Sequence, residues 1–151
     1  MITIAPSILA PDLNSFVVQA ELFSTFAKRI QLDIVDGNFA PTRTIQLNNI
    51  DKLPSNETIW DFHMMVETPS KTIQDVVRLK PNLCIFHAEV DERLQPIFEN
   101  LHSSGIRVGV ALLPGTYPGD LRTIISSVDH VLIFAGSLGR QGGTADLLQL
   151  E

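Results

Sequence analysis

The chain has little cysteine and little positive charge. Its 151 residues include one cysteine, Cys84, so no internal disulfide can form and we expect a reducing compartment. The 11 basic and 17 acidic side chains give a net charge of −6, which excludes a general electrostatic attraction to nucleic acid or to an anionic membrane. Any anionic ligand must therefore be held locally.

Signals for targeting or membrane insertion are also missing. The first basic residue is Lys28, so the start of the chain lacks the charged region of a secretory or transit signal. The longest apolar runs, such as 131–135, are too short to cross a bilayer. We expect a soluble, cytoplasmic protein, and its 44% hydrophobic and 19% charged residues are typical of one globular domain over residues 1–151.

What the sequence does contain is an alternation of short apolar runs with longer amphipathic stretches. Six runs rich in β-branched residues predict strands that are buried on both faces, as in a parallel sheet. They cover residues 2–9, 30–35, 58–66, 83–89, 107–113 and 130–135. Helical periodicity predicts a helix capped by Asp12 and further helices over 69–79, 91–101 (with Gly105 as its stop) and 118–127. This order is that of successive βα units.

The chain is too short to hold all eight βα units of a complete barrel. A complete (β/α)₈ barrel takes about 250 residues, whereas 151 residues hold roughly six units. The sequence stops at 146–151, where a sixth helix is predicted to begin. We expect either an open parallel sheet or a barrel that lacks its end, with the polar connection 36–56 as a loop of the kind that carries sites.

Two predicted strands end in side chains that can carry chemistry. Alternation in 31–37 turns Asp33 towards one face of an apolar strand, where a carboxylate is costly unless it is paired, protonated or bound to a metal. We interpret Asp33 as functional and Asp36 as the cap of a turn. His63 lies near the end of the next strand, where a parallel barrel gathers its active groups, and an imidazole with a carboxylate suits zinc, iron or manganese. A single histidine in a strand is more often an ordinary core residue, and two residues one βα unit apart are a weak metal signal by themselves.

Two further patterns have an ordinary explanation beside the functional one. His87 and Glu89 alternate so as to face the same interior, although normal packing and pairing explain them equally well. The glycine-rich turn 136–144, which includes Arg140, can hold a phosphate through its backbone N–H groups. Its spacing is neither that of a Walker loop nor that of a dinucleotide fingerprint, so a simple flexible turn is the alternative.

Four short segments together form a more specific pattern: Ile-Ala-Pro-Ser-Ile-Leu-Ala at 4–10, Leu-Asp-Ile-Val-Asp-Gly-Asn-Phe-Ala-Pro at 32–41, Asp-Phe-His-Met-Met-Val at 61–66 and Gly-Val-Ala-Leu-Leu-Pro-Gly-Thr at 109–116. Their order and spacing resemble the signatures of the ribulose-phosphate 3-epimerase family across essentially the whole chain. The resemblance implies an α/β fold, a parallel (β/α) barrel of the TIM type, with about six of eight βα units present.

The resemblance also implies an activity and a set of site residues. The reaction is the interconversion of ribulose 5-phosphate and xylulose 5-phosphate with a bound divalent metal, which is zinc, iron, manganese or cobalt. Asp33 would be a metal ligand and one of two acid/base carboxylates, and His63 a second ligand that also contacts substrate. The other implied substrate-binding residues are Ser7, Met65, Gly142 and Gly143. Inverting a carbon next to a carbonyl needs an acid/base group on each face, and a metal stabilises the enediolate between the two steps.

The sequence departs from the family pattern at several of these positions. The family usually has a metal-binding histidine where this chain has Gln31, and an amide carbonyl is a poorer zinc ligand than imidazole, so a weakened metal site is expected. The other catalytic aspartate comes from a seventh strand, and part of the phosphate site from an eighth, and this sequence contains neither. Val35 and Ala135 replace the usual methionines, and Arg140-Gln141 replaces Gly-Phe.

Three interpretations are therefore open. The first is an epimerase of which this sequence is an incomplete part. The second is a degenerate sugar-phosphate-binding or assembly protein without catalysis, indicated by Gln31 and the missing second carboxylate. The third is an epimerase of a six-carbon ketose phosphate, indicated by the changes around the expected pocket. As partners we expect a small sugar phosphate and further copies of this chain, since an open barrel exposes two sheet edges, and neither nucleic acid nor a membrane.

Overall fold

Six parallel strands form one sheet in the computed structural model, which describes residues 2–54, 57–142 and 144–145. The strands lie in the order of the sequence, and each pairs with its neighbour along the chain. Parallel strands in sequential order with helices between them are the arrangement of a (β/α) barrel, which confirms the predicted partial α/β barrel of the TIM type. The strands are β1 (Ser7–Ile8), β2 (Arg29–Val35), β3 (Ile59–Met65), β4 (Leu83–His87), β5 (Arg107–Leu112) and β6 (His130–Ile133).

In the part of the chain that the structure describes, three α-helices lie between the strands: α1 (Leu13–Ser24), α2 (Ile73–Leu79) and α3 (Gln95–Ser103). Helix α1 begins where it was predicted to, because the carboxylate of Asp12 accepts a hydrogen bond of 2.8 Å from the backbone N–H of Ser15. Gly105 follows α3 with a φ of +75°, a left-handed conformation that glycine adopts at little cost. Both predicted helix signals are confirmed.

The boundaries of three predicted elements are wrong at their start. The helix predicted over 69–79 begins as a 3₁₀ helix, Pro69–Thr72, and is α-helical only from Ile73. Of the strand predicted over 2–9, only Ser7–Ile8 is paired, with Gln31 and Leu32 of β2. The helix predicted over 91–101 begins only at Gln95, where Pro96 occupies the first turn, the part of a helix in which proline is tolerated.

The helix predicted over 118–127 is not an α-helix. Residues 118–127 form two short 3₁₀ helices, Pro118–Thr123 and Ile125–Ser127. Glycine, serine and threonine in this stretch lower its helix propensity, and the tighter 3₁₀ turn is common in such short pieces. The predicted start of a sixth helix at 146–151 lies outside the described residues.

Alternation along the strands gives the sheet two different faces. Side chains that point towards the helices form the main core, in which Phe16, Phe62, Phe86 and Phe98 are fully buried. Smaller apolar clusters lie on the opposite, interior face, one around Val35 and Met65 and another around Ile85. Odd-numbered residues of β2, β3 and β4 therefore face the barrel interior, which decides where Asp33 and His63 are placed.

Candidate active site

Asp33 and His63 are direct neighbours on the interior face. The register pairs them across β2 and β3, and Nδ1 of His63 lies 3.3 Å from Oδ1 of Asp33. Their side chains are 13% (Asp33) and 2% (His63) exposed. They lie towards the carboxyl ends of their strands, where (β/α) barrels place active groups. The structure thus brings together the two residues on which the sequence-based site depends.

A second histidine extends this contact. Nε2 of His63 lies 2.9 Å from Nε2 of His87, and Nδ1 of His87 lies 3.3 Å from Oε2 of Glu89. The four side chains form a row in the order Asp33, His63, His87 and Glu89, with a carboxylate at each end. We call this row the carboxylate–histidine chain.

Within the carboxylate–histidine chain, His87 has an unusually low pKa. It is fully buried, and burial, followed by the charge of neighbouring His63, lowers its pKa from 6.5 to about 4. The carboxylate of Glu89 opposes this shift but does not cancel it. His87 is therefore a neutral imidazole near neutral pH, with one N–H to donate and one nitrogen to accept.

Gln31 lies two residues before Asp33 on the same face of β2. Its Nε2 donates a hydrogen bond of 2.8 Å to Oδ1 of Asp33, the same oxygen that faces His63. The register also places Gln31 beside Ser7 of β1. The side chain that replaces the family's usual histidine is thus part of the site, and it occupies one acceptor position of the carboxylate.

Asp36 organises the loop after β2 and has no direct contact with the carboxylate–histidine chain in the described structure. One carboxylate oxygen accepts hydrogen bonds from the backbone N–H groups of Asn38 (2.8 Å) and Phe39 (2.9 Å), and the other accepts from the N–H of Glu67 (2.8 Å). This agrees with its interpretation as the cap of a turn. The turn places the ring of Phe39 with its centroid 4.8 Å from that of His87.

Aromatic and apolar side chains cover the two histidines. The ring of Phe134, just after β6, has its centroid 5.8 Å from those of both His63 and His87. Phe39 and Leu138 pack against the interior cluster that contains Met65. The surroundings of the two imidazoles are therefore apolar except along the carboxylate–histidine chain itself.

The loop after β2 is joined to the glycine-rich segment after β6. The hydroxyl of Thr42 donates a hydrogen bond of 2.6 Å to the carbonyl oxygen of Gly139. Gly139 has a φ of +69°, and a Cβ atom at this position would overlap Oγ1 of Thr42. The two loops therefore meet over the barrel mouth at a position that needs glycine.

The other residues implied by the resemblance lie at different places around this mouth. Ser7 is on β1 next to Gln31, and Met65 ends β3 with 2% of its surface exposed. Gly142 is exposed and has a φ of +77°. Gly143 lies outside the described residues.

Two open cavities lie elsewhere on the described part of the molecule. One of about 300 Å³ is lined by Asp36, Arg43 and Lys71 among others, and another of about 420 Å³ by Leu94 and Leu121 among others. Neither is lined by Asp33 or His63.

The contact between Asp33 and His63 fits two ligands of one divalent metal. Two ligands about 2.1 Å from a zinc ion lie about 3.4 Å apart in tetrahedral geometry, close to the 3.3 Å between Oδ1 of Asp33 and Nδ1 of His63. Among the residues that the structure describes, no group of three or more His, Cys, Asp or Glu side chains is arranged to hold a metal ion. Among the described residues, Asp33 and His63 are therefore the candidate pair of metal ligands.

A separate polar cluster lies at the opposite, amino-terminal ends of the strands. Asp61 is 5% exposed, and Nε of Arg29 lies 3.6 Å from its Oδ2. Burial raises the pKa of Asp61, and the charge of Arg29 opposes that shift. Asn82 accepts hydrogen bonds from both Arg29 and Arg107. This end of a (β/α) barrel typically contributes stability rather than catalysis.

Sequence reasoning did not select three residues that belong to the site. His87 was considered together with Glu89, but normal packing and pairing explained both residues equally well. Phe39 and Phe134 carry no signal, because an aromatic residue in an apolar stretch is the usual pattern of a core. For His87 the signal was available: it shares the interior face and lies one strand away from His63.

Comparison with known proteins gives a consistent result. The model of the ribulose-phosphate 3 epimerase family matches residues 3–145. The chain is similar to the ribulose-phosphate 3-epimerases of Treponema pallidum strain Nichols (29% identity, 93% of this chain and 65% of the relative) and Helicobacter pylori strain J99 (28% identity, 92% and 64%). It is also similar to the cytoplasmic isoform from Oryza sativa subsp. japonica (32% identity, 75% and 51%). The chain spans just under two thirds of the length of the first two relatives.

Proposed function

Because the chain belongs to the ribulose-phosphate 3-epimerase family, we propose that it binds a ketose phosphate at the barrel mouth and acts at carbon 3, most simply on ribulose 5-phosphate to give xylulose 5-phosphate. The observation that carries this proposal is the carboxylate of Asp33 next to His63 on the interior face, 3.3 Å apart. A carboxylate whose side chain is 13% exposed and lies beside an imidazole is suited to remove a proton from a bound substrate.

The proposed chemistry follows from the position of that proton. The hydrogen on carbon 3 is acidic because the carbanion is conjugated with the carbonyl at carbon 2, giving an enediolate. Asp33 removes the proton on one face, and a second acid/base group returns one on the other face. The family resemblance assigns that second group to a seventh strand, so Asp33 supplies one of the two proton transfers.

We propose that Asp33 and His63 hold a divalent metal, which is zinc, iron, manganese or cobalt. When bound, such an ion stabilises negative charge on the enediolate oxygens as a Lewis acid. Gln31 keeps its hydrogen bond to Oδ1 of Asp33 and orients the carboxylate towards His63. Ser7 and Met65 would line the sugar site. The backbone N–H groups near Gly142 and Gly143 would form the phosphate site.

In this proposal the protein binds a small sugar phosphate as its partner, and it acts in the cytoplasm. The acidic net charge of −6 leaves phosphate recognition to local groups, of which Arg140 at the glycine-rich segment is the exposed cation. In the described part of the chain no helix is long and apolar enough to cross a membrane. We propose that residues 1–151 act as one domain.

Proton exchange tests the proposal more directly than turnover. In D₂O, the chain loaded with zinc or manganese should introduce deuterium at carbon 3 of ribulose 5-phosphate, read by NMR, whether or not the second group is available to invert the carbon. Asp33→Asn should slow this exchange by at least about 100-fold. Asp51→Asn, the same change at an exposed position, is the matched control.

A second candidate function is sugar-phosphate binding without catalysis. The observation that favours it is the amide of Gln31, which donates to Asp33 where the family has a metal-binding histidine. Saturable binding of the sugar phosphate without exchange at carbon 3 would support this alternative. Exchange that is equally fast in Asp33→Asn, or no binding of either five-carbon or six-carbon ketose phosphates, would overturn the first proposal.

The same assay separates five-carbon from six-carbon substrates. Val35 and Ala135 replace methionines of the family, and smaller side chains leave more room at the mouth. Faster exchange on a six-carbon ketose phosphate than on ribulose 5-phosphate would assign the larger substrate.

A further inference from the structure

We infer that His87 and Glu89 are a positioning pair that holds His63 with Nδ1 unprotonated and directed at Asp33. The inference deepens the proposed function, on which its biological meaning rests, because it assigns how this chain prepares one metal ligand. It follows from the contacts along the carboxylate–histidine chain and from the number of protons that these contacts need.

The three contacts of the carboxylate–histidine chain are short and largely shielded from water. They are 3.3 Å between Asp33 and His63, 2.9 Å between His63 and His87, and 3.3 Å between His87 and Glu89. His63 is 1% exposed and His87 is fully buried. Nδ1 of His87 and Oε2 of Glu89 are both buried and have no hydrogen-bond partner of good geometry among the described residues, so each depends on the other.

Two neutral imidazoles cannot satisfy all three contacts. Each neutral ring carries one N–H, so the two rings have two protons for three places. If both protons sat on Nδ1, the two Nε2 lone pairs would face each other at 2.9 Å. One of the two protons must therefore lie between the Nε2 atoms. The second proton can serve only one of the two end contacts, either Asp33–His63 or His87–Glu89.

The surroundings decide which end receives it. Oδ1 of Asp33 already accepts a hydrogen bond of 2.8 Å from Gln31. Oε2 of Glu89 has no other donor in the described structure, and a buried carboxylate oxygen without a donor is costly. His87 therefore carries its proton on Nδ1, facing Glu89.

The tautomer of His63 follows. With Nε2 of His87 as acceptor, His63 donates from its own Nε2, so its Nδ1 holds a lone pair that points at the Asp33 carboxylate. Two acceptors 3.3 Å apart are a place for a cation. Outer partners that fix a histidine ligand in this way usually change metal affinity by about 10- to 100-fold.

Glu89 provides a sharp test because its other oxygen is also committed. Oε1 accepts a hydrogen bond of 2.8 Å from the backbone N–H of Leu113. In Glu89→Gln the amide oxygen is needed at Leu113, so the NH₂ group faces Nδ1 of His87. That donor forces the proton of His87 onto Nε2, and His63 must then carry its proton on Nδ1.

The experiment is imidazole ¹⁵N NMR on the metal-free full chain at about pH 8, where free imidazole is neutral. We expect wild-type His63 to show the Nε2–H tautomer and Glu89→Gln to show the Nδ1–H tautomer. Glu99→Gln, the same change on the exposed side of α3, should leave the spectrum of His63 unchanged. Zinc affinity, measured by competition with a chelator, should fall about 10- to 100-fold in Glu89→Gln only.

Variants at His87 give an independent reading if Glu89→Gln does not fold. In His87→Gln the amide can accept from His63 and donate to Glu89, so the His63 tautomer should be preserved. His87→Leu removes the acceptor, so His63 should turn its proton towards Asp33. An Nδ1–H tautomer in wild-type His63, or a tautomer that is the same in Glu89→Gln or His87→Leu as in wild type, overturns the inference. Because no reading requires turnover, its failure is distinct from that of the proposed epimerisation.

Discussion

The hydroxyl of Thr42 donates a hydrogen bond of 2.6 Å to the carbonyl oxygen of Gly139, 97 residues further along the chain. This contact joins the loop after β2 to the segment after β6, and the two loops meet above Asp33 and His63. Each loop also contributes one ring, Phe39 or Phe134, that packs against His87. Opening of the site and separation of these loops are therefore linked.

Substitution of Gly139 should loosen the barrel mouth. Gly139→Ala adds a Cβ that overlaps Thr42 Oγ1 at a φ of +69°, so the two loops must separate. We expect faster amide hydrogen exchange over 36–46, by severalfold, measured by mass spectrometry. Gly115→Ala is the control, because Gly115 also has a positive φ but has no described atom within 4 Å of the added Cβ.

Thr42→Val removes the same hydrogen bond without adding backbone strain, and it should also speed exchange in this loop. Unchanged protection of 36–46 in both Gly139→Ala and Thr42→Val would show that the contact does not hold the mouth closed.

Restoring a histidine at position 31 should strengthen metal binding. Gln31→His places a third metal-binding side chain beside Asp33 and His63, and imidazole is a better ligand for zinc than an amide. We expect zinc affinity to rise by at least about tenfold, the size of effect that even outer partners produce, measured by competition with a chelator. Gln74→His, at an exposed position of α2, should have no such effect, and equal gains in the two variants would contradict the proposed ligands.

The buried carboxyl of Asp61 should make the fold less stable as pH rises. Burial raises its pKa above 3.8 in the folded protein, so the folded state binds this proton more tightly than the unfolded chain. The resulting stabilisation is complete below 3.8 and is lost as pH rises through the folded pKa. Asp61→Asn has no such proton, so the free energy of unfolding of the variant minus that of wild type should increase between about pH 3 and pH 7.

Asp129 provides a control of opposite sign. A hydrogen bond from His102, followed by one from the backbone N–H of Val108, lowers the pKa of Asp129. The contribution of Asp129 is therefore present above 3.8 and lost as pH falls through the lower folded pKa. Urea unfolding of Asp129→Asn across the same pH range should give a slope opposite to that of Asp61→Asn, and slopes of the same sign would contradict this assignment.

The stability of the core between the sheet and the helices should depend strongly on Phe98. This residue of α3 is fully buried, and its ring centroid lies 6.4 Å from that of Phe86 on β4. Phe98→Ala should lower the free energy of unfolding by about 3–5 kcal/mol, measured by chemical denaturation. Phe26→Ala removes the same side chain where it is 68% exposed and should change stability by less than about 0.5 kcal/mol.

The two edges of the sheet predict self-association of this chain. In the described structure β1 pairs only with β2, and β6 only with β5. Ile4 before β1 is 85% exposed and Ile133 in β6 is 39% exposed, and unpaired edges with apolar side chains favour pairing between chains. Light scattering should therefore give a mass above the 16.7 kDa of one chain. Ile133→Lys should reduce that mass whereas Gln74→Lys should not, and a stable monomer of wild type would contradict the prediction.

The repeated alternation of apolar runs and amphipathic stretches was enough to predict the sheet, because a strand buried on both faces needs a continuous apolar run whatever its neighbours are. The caps of α1 and α3 were also predictable, since Asp12 and Gly105 act on backbone groups a few residues away. The segment 118–127 was not, because weak helix propensity in a short stretch leaves the choice between an α-helix and 3₁₀ turns to the packing around it.

For the site, the sequence by itself determined which groups can do chemistry, namely the carboxylate of Asp33 and the imidazole of His63. That both lie on the same face of the sheet follows from the two-residue period of strands. Only the tertiary structure decided that His63 meets His87, that Glu89 lies behind it, and that Thr42 reaches Gly139. These contacts join residues at least 24 positions apart, or, for Glu89, depend on how one strand end turns. Register and loop closure set such contacts, and both depend on the packing of the whole sheet.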